Sequence, residues 1–562
     1  MSTPPPTSSR ATFPVSVLDY GAGNIVSLLN ALTLLGYTNY KKITTPSEIK
    51  NAQCIIFPGV GAFSSAMSSL EKLEIKQALK EYIKSNRPYF GICLGMQTLF
   101  ESSEEGQSIV NGLGVIPGTV DRFKTDASVP SIGWNSTTDR KSGPSPVPDS
   151  MKYFVHSYRA LPTPSNLPWI STTTSYGGET YISSIEKGNI FACQFHPEKS
   201  GREGVKIIGD YLDRVRLNNI VDRSSVLSVT DLPLKSFGDT ICKRVVVALD
   251  VRSNDEGDLV VTKGDQYDVR ETKETEGKGK AKVRNLGKPA ELAGKYYEGG
   301  ADEISFLNIT SFRSNVISDL PLIDLLQFCS EKIFVPLTVG GGIRDLTENG
   351  RVYKAVEVAD RYFRAGADKV SIGSDSVTAS LKLIENNGAK DGESSIEQIS
   401  ERYGVQAVVV SIDPKRVYVD EAGKAAAEAQ GYTVKNVVDV DGNAKMCWWQ
   451  TTVKGGRETR DIDAVTVAKC VETLGAGEIM LNCIDMDGQG NGYDLELMKA
   501  VTDAVSIPVI ASSGAGGGGH FVEVFKETEV SAALAAGIFH RGEVKIEEVK
   551  DAMQAAGVVT RK

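Results

Sequence analysis

A chain of 562 residues is too long for one hydrophobic core, so at least two domains are expected. Its 41% hydrophobic and 24% charged residues are ordinary for a globular protein, and no apolar run is long enough to cross a bilayer. A net charge of -9 disfavours nucleic acid as a partner but leaves small anionic metabolites open, and eight scattered cysteines without a Cys-x-x-Cys pair or a secretory leader point to reduced thiols in the cytoplasm.

Residues 1–12 are expected to be a disordered tail, since the opening stretch is rich in Pro, Ser and Thr. From Val15 onward, short apolar runs such as Val15-Ser16-Val17-Leu18 and Cys54-Ile55-Ile56-Phe57 end in Gly-rich turns and precede helical patterns, which predicts an α/β domain over 13–215. Pro58-Gly59-Val60-Gly61 follows one such strand, and its backbone N–H groups can face a tetrahedral oxyanion. Next comes Gly91-Ile92-Cys93-Leu94-Gly95 after the apolar Pro88-Tyr89-Phe90, the pattern of a tight strand-to-helix turn that exposes a nucleophile. Phe195-His196-Pro197-Glu198 adds an imidazole to take the thiol proton and a carboxylate to orient that imidazole.

No strand-turn-helix repeat is evident over 216–240, which reads as a linker. A new strand series begins at Arg244-Val245-Val246-Val247-Ala248-Leu249-Asp250, and its second half echoes its first. Gly300-Ala301-Asp302-Glu303-Ile304 matches Gly475-Ala476-Gly477-Glu478-Ile479, Val247 to Asp250 matches Val410-Ser411-Ile412-Asp413, and Val339-Gly340-Gly341-Gly342 corresponds to Ser513-Gly514-Ala515-Gly516. Such duplication with βα alternation predicts a (β/α)8 barrel of two half-barrel repeats over 241–562. The charged insert at 271–282 reads as a solvated loop at the active-site end of that barrel.

Asp250 and Asp413 end strands in corresponding half-repeats, so both are expected on the C-terminal rim, able to serve as general acid and general base. Gly341, Gly342, Gly373 and Ser374 on one side, and Ser512, Ser513, Gly514 and Gly537 on the other, form two loop pairs suited to a substrate with two terminal phosphates. Arg244 and Asp250 are an even number of residues apart on one strand, so both point inward while roughly 20 Å separates them. Arg244 therefore belongs at the barrel floor, where Glu303, Lys369 and Glu478 start other strands and can join it in a charged ring. Such a ring either closes the floor as a salt-bridge layer or gates it, and both readings can hold together.

The Pro-Gly-Val-Gly loop, the Gly-Ile-Cys-Leu-Gly-Met-Gln elbow and the Gln-Phe-His-Pro-Glu-Lys-Ser end resemble the class I glutamine amidotransferase family over 13–215. The resemblance implies that Cys93 forms a glutamyl thioester, that His196 and Glu198 complete a triad, and that Gln97, with Gly59 and Gly61, helps hold glutamine; His156 matches a family segment near a domain contact and reads as structural. Leu249-Asp250-Val251, Val261-Thr262-Lys263-Gly264, Thr338-Val339-Gly340-Gly341-Gly342, Ile412-Asp413, Asp485-Met486-Asp487-Gly488 and Ala511-Ser512-Ser513-Gly514 extend the resemblance to the fused imidazole glycerol phosphate synthase family.

That family's activity implies glutamine and phosphoribulosyl-formimino-aminoimidazole carboxamide ribonucleotide (PRFAR) as substrates. Ammonia would pass a gate of Arg244, Glu303, Lys369 and Glu478, and imidazole glycerol phosphate and aminoimidazole carboxamide ribonucleotide (AICAR) would be the products, a step of histidine biosynthesis. Lys263 is implied to contact substrate. Asn308 stands where relatives can carry Asp, and the glycine run 516–519 departs from the family's more varied loop. No cofactor and no metal are implied, the glutaminase and barrel are expected to touch within a monomer, and neither nucleic acid nor membrane is a partner. Two competing readings are a sugar isomerase barrel, which needs no ammonia, and a non-catalytic scaffold with a decayed glutaminase, which the intact triad disfavours.

Overall fold

The runs that read as strands pair through their backbones, and each buries both of its faces. The computed structural model describes residues 8–21, 23–106, 108–219, 223, 241–253, 259–261, 288–309, 322–439 and 442–562. Lys263 and the insert 271–282 lie outside these residues.

The N-terminal part is built on an eight-stranded sheet in the order Tyr40–Ile43, Val15–Leu18, Ile55–Phe57, Tyr89–Ile92, Ile190–Cys193, Glu179–Lys187, Ile170–Tyr176, Thr138–Asp139. The first five strands run parallel, and the last three return antiparallel. Side chains alternate between two cores: Ile55, Phe57 and Tyr89 enter one, Ile56, Phe90 and Ile92 the other. Helices cover both faces, so the central strand Tyr89–Ile92 is wholly buried and its end is a fixed platform for Cys93.

The disordered reading of residues 1–12 fails for Ser8–Thr12, which is helical. Arg10 pairs with Asp213, which also accepts from Tyr37 Oη at 2.8 Å, and Phe13 packs edge-on against Tyr37. Composition favoured a tail, but one guanidinium and one ring anchor its end to the helix Gly201–Arg216. Beyond that helix, Arg223 folds back onto the same domain. Its Nε donates to Glu186 at 2.8 Å, and its Nη2 donates to Ser171 Oγ at 2.8 Å.

The C-terminal part closes into a barrel of eight parallel strands: β1 (Arg244–Ser253), β2 (Glu303–Asn308), β3 (Leu337–Gly340), β4 (Lys369–Ile372), β5 (Val408–Val419), β6 (Glu478–Asn482), β7 (Val509–Ser512) and β8 (Ala532–Ala535). Each pairs with the next, and β8 pairs with β1. Val246, Ala248, Val409, Met480, Ile510, Ala532 and Leu534 form a separate interior core, while Val245, Val247 and Leu249 face the surrounding helices. Arg244, Val246, Ala248 and Asp250 thus share the inward phase of β1, as the even spacing predicts. Beyond Asp413, β5 leaves the barrel and pairs antiparallel with Ala444–Val453, an appendage that the duplication did not foretell.

The N-terminal domain packs on the barrel end where the strands begin. Cys242 N donates to Trp134 O at 2.8 Å, Trp134 Nε1 to Asp302 O at 3.3 Å, Gly201 N to Phe334 O at 2.9 Å, and Lys199 pairs with Asp368 at 2.8 Å. Ile132, Trp134 and Tyr153 join the barrel's outer core, so the contact is apolar as well as polar.

Phe306 is fully buried between β2 and the helices around it. Phe306→Ala is expected to cost about 3–5 kcal/mol. The check is urea unfolding followed by a barrel probe, and an unchanged midpoint would contradict this packing.

Candidate active sites and the passage between them

The chain turns abruptly after Ile92, and Cys93 takes φ 49° and ψ −103°, a sparsely populated conformation that holds a side chain clear of its strand. The following helix, Leu94–Gln97, is a single turn. A Cβ at Gly59 would lie 2.4 Å from Ile92 O and 2.5 Å from Leu94 N, so only glycine lets the Pro58 to Gly61 loop lie against the elbow. Tyr20 Oη donates to Val60 O at 2.5 Å and fixes that loop from the other side.

His196 follows the neighbouring strand and lies beside Cys93, with its Nδ1–H donating to Glu198 Oε1 at 2.8 Å. Burial alone would favour the neutral imidazole, but Glu198 and the Cys93 sulfur outweigh it and hold His196 well above its ordinary value. The three residues can therefore form a thiolate–imidazolium pair braced by a carboxylate, the charge arrangement that attack on a carboxamide needs.

Gln97 Nε2 donates to Tyr158 O at 3.0 Å and to Gln194 Oε1 at 3.1 Å, and Gln194 Nε2 donates to Cys93 Sγ at 3.3 Å. Glu105 accepts from Phe63 N at 2.9 Å, and burial pushes its carboxyl up to about 7. His156 is packed among Phe123, Phe154 and Tyr181 with Nδ1–H donating to Tyr158 O at 2.8 Å, and burial pushes its ring down to about 3. That environment makes it a neutral packing residue.

One cavity joins this site to the barrel floor. It is lined by Gly59, Gly61, Cys93, Gln97, Glu105 and His196 at one end and by Tyr153, Lys199, Asp368 and Lys369 at the other. There Arg244, Glu303, Lys369 and Glu478 close into a ring. Arg244 Nη1 lies 2.7 Å from Glu303 Oε2, Lys369 Nζ lies 2.6 Å from both Glu303 Oε1 and Glu478 Oε2, and Arg244 Nη2 pairs with Glu478. Thr338 Oγ1 also donates to Glu303 at 2.7 Å. The ring holds two cations and two anions and is fully buried, so it is neutral as a unit. Burial opposes ionisation of Arg244 and Glu303, yet Glu478 and Glu303 raise the guanidinium, and Lys369 and Arg244 lower the Glu303 carboxyl. Tyr153, from the N-terminal domain, lies electrostatically close to Glu303, Arg244 and Glu478, and its hydroxyl has no partner among the described residues.

At the opposite rim, Asp250 pairs across from Leu307 near the end of β1, and Asp413 ends the barrel part of β5. Asp413 Oδ1 accepts from Asn482 Nδ2 at 2.7 Å and Ser411 Oγ at 3.1 Å. Burial raises its carboxyl, and those two bonds pull back only in part. Asp250 is pushed up to about 7 by burial and then by Asp487. A carboxyl raised to about 7, as at Asp250, can both donate and accept protons near neutrality, and Asp413 is shifted in the same direction.

Asp413 and Asn482 share a cavity with Asn308, Gly341, Gly342, Gly373, Ser374, Lys454 and Arg457, and the helix Ser374–Glu385 directs its first N–H groups there. Gly341 has φ 98°, and a Cβ there would meet Asn308 O at 2.3 Å. Ser512 ends β7 and Ser513 (φ 74°) and Gly514 follow it, while Gly537 starts a short helix after β8. In the glycine run, Gly516 N donates to His520 Nδ1 at 2.9 Å, and the helix Gly518–Glu527 begins inside it.

Comparison with known proteins covers both parts. The class-I glutamine amidotransferase family matches residues 16–213, and the histidine biosynthesis protein family matches 244–545. The chloroplastic imidazole glycerol phosphate synthase hisHF of Arabidopsis thaliana is 53% identical over 99% of this chain and 90% of the relative. The chain belongs to the fused imidazole glycerol phosphate synthase family. The Schizosaccharomyces pombe synthase hisHF is 48% identical over 97% of this chain and 99% of the relative. The HisF subunit of the Methanopyrus kandleri synthase is 42% identical over 52% of the chain. As a member of this family, the chain is an enzyme that joins a glutamine amidotransferase to a cyclase barrel.

Sequence reasoning missed Glu105, Tyr153, Gln194, Ser411 and Asn482. Parity could have found Ser411, two residues before Asp413 on one strand. Asn482 closes β6 as Asn308 closes β2, so the duplication carried its signal.

The raised Asp250 carboxyl fixes the sign of a pH effect. Folding favours its protonated form, so the penalty is absent below the ordinary value near 3.9, grows as pH rises to about 7, and is constant above. Asp250→Asn is therefore expected to melt higher than wild type at pH 8 but not at pH 4. Equal melting temperatures at both values would show that the carboxyl is unperturbed.

Proposed function

We propose that the chain hydrolyses glutamine at Cys93 and passes the ammonia through the barrel floor to Asp250 and Asp413, where PRFAR becomes imidazole glycerol phosphate and AICAR. The observation that carries this reading is the cavity running from Cys93 to Lys369 of the buried ring. A glutaminase that released ammonia to solvent would need no such connection.

In this reading the Cys93 thiolate attacks the side-chain carboxamide carbon of glutamine, and N–H groups of the Gly59 to Gly61 loop and the elbow face the oxyanion. The C–N bond breaks as His196 gives its proton to the leaving nitrogen, which departs as ammonia. Water then attacks the thioester, His196 takes its proton, and glutamate leaves with the thiol restored. Glu198 keeps the imidazole oriented throughout. Glu105, facing the same cavity, is the group assigned to the α-ammonium of glutamine.

Ammonia is neutral and small, so it can cross the floor when one ion pair of the ring parts. At the far rim, the phosphates of PRFAR are assigned to the loops at Gly341, Gly342, Gly373 and Ser374 and at Ser512, Ser513, Gly514 and Gly537, with Lys263 as a further substrate contact. Asp250 and Asp413 move the protons as ammonia adds and the ring closes.

Among the described residues no helix is long and apolar enough to cross a membrane. We assign the enzyme to the cytoplasm, on its eight free cysteines, although the plant relative's name places that protein in the chloroplast. Cell fractionation decides between them. The chain is read as a monomer because its two centres meet within one polypeptide, and sedimentation equilibrium tests that.

Cys93→Ala is expected to retain cyclisation from ammonium salt and lose it from glutamine, whereas Asp250→Asn and Asp413→Asn lose both. Turnover from glutamine in the Cys93 variant would overturn the triad. Arg244→Ala opens the ring and is expected to raise the ratio of glutamate formed to imidazole product above one. A ratio held at one in that variant sinks the gate while leaving both chemical centres standing.

A further inference from the structure

Resting on the triad reading above, we propose that Gln194 is a positioning residue of the thiol site, its carboxamide N–H aimed at Cys93 Sγ by a hydrogen-bond relay that starts at a backbone carbonyl. Gln194 is fully buried at the end of the strand Ile190–Cys193, with its own N–H donating to Ser183 O at 2.9 Å.

The sense of the relay follows from donor and acceptor chemistry. Tyr158 O can only accept, so the group of Gln97 that meets it at 3.0 Å is its NH2. The same NH2 reaches Gln194 at 3.1 Å, which requires the carbonyl of Gln194 on that side. The NH2 of Gln194 is then left facing Cys93 Sγ at 3.3 Å. Turning either amide over would set two donors or two acceptors against each other in a buried site, which costs about 1–3 kcal/mol for each unpaired group. A donor fixed on sulfur stabilises the thiolate over the thiol and restricts where the lone pairs point.

His196 gives its Nδ1–H to Glu198 and serves Cys93 as the proton-transfer partner, so the Gln194 N–H is a second donor to the sulfur that transfers no proton. Tyr20, Tyr181 and Cys193 interact electrostatically with Cys93, but Tyr20 gives its hydroxyl proton to Val60 O and Cys193 gives its thiol proton to Phe195 O. Burial raises all three, so they remain neutral neighbours.

The test uses the full chain and iodoacetamide, reading the Cys93 peptide by mass spectrometry across pH 5 to 9. Gln194→Met keeps the side chain's length without either polar group, and Gln194→Glu keeps the acceptor for Gln97 but replaces the donor with oxygen. Alkylation at pH 7 is expected to fall roughly tenfold in the Met variant, the scale of one charge-assisted hydrogen bond, and further in the Glu variant. Both profiles move to higher pH, with kcat for glutamine falling more than KM rises. Gln97→Met leaves Gln194 in place without its orienting donor and is expected to move the profile the same way by less.

Cyclisation from ammonium salt reports that each variant is folded. Wild-type rates and pH profiles in folded Gln194 variants overturn the relay, and so does an unmoved profile in Gln97→Met should the Gln194 variants not fold. Glutamine turnover surviving in Cys93→Ala would instead overturn the triad itself, so the two failures are separate.

Discussion

Four charges enclosed at the barrel floor set the terms for the rest of the molecule. Arg244, Glu303, Lys369 and Glu478 are each desolvated, and no single pair offsets the loss of water. Only the closed ring, with Thr338 adding a further donor, leaves no net charge. Its geometry requires four strands to begin at one level, and the register of the barrel supplies that. It also requires a lid, since solvent at the floor would screen the pairs and weaken the ring's closure. The N-terminal domain is that lid, with Trp134 and Tyr153 completing the apolar surround.

The same packing gives each centre the dielectric it needs. At the elbow, a strained Cys93 is tolerated because Ile92, Gly59 and Gly95 leave its backbone no room to relax. At the opposite rim, burial raises Asp250 and Asp413, while the hydrogen bonds from Asn482 and Ser411 offset part of that rise at Asp413. Burial of Cys93, His196 and the floor ring makes proton positions there a matter of a few named groups.

Much of this was legible in residue order. Strand parity placed Arg244 and Asp250 on one inward face, and the interior position of Val246 and Ala248 agrees. Duplication fixed the two rims and the glutamates at the floor. Glu105, Tyr153 and Gln194 were not legible, because nothing periodic marks a polar residue brought to a site from a loop or from the next domain. The helix at Ser8–Thr12 was missed for a related reason: its partner Asp213 lies about two hundred positions away, beyond the reach of composition. The antiparallel extension of β5 was hidden because an apolar run does not announce where a strand leaves its sheet.

Arg223 has a consequence for how the two halves meet. Held by Glu186 and Ser171, it lies on the first domain, which meets the barrel through Trp134, Gly201 and Lys199 as well as along the chain. Carrying both halves on one chain makes docking an intramolecular event that dilution does not weaken. Loss of the Lys199–Asp368 pair would not let the halves diffuse away from each other. Fusion therefore relieves the interface of the need for high affinity.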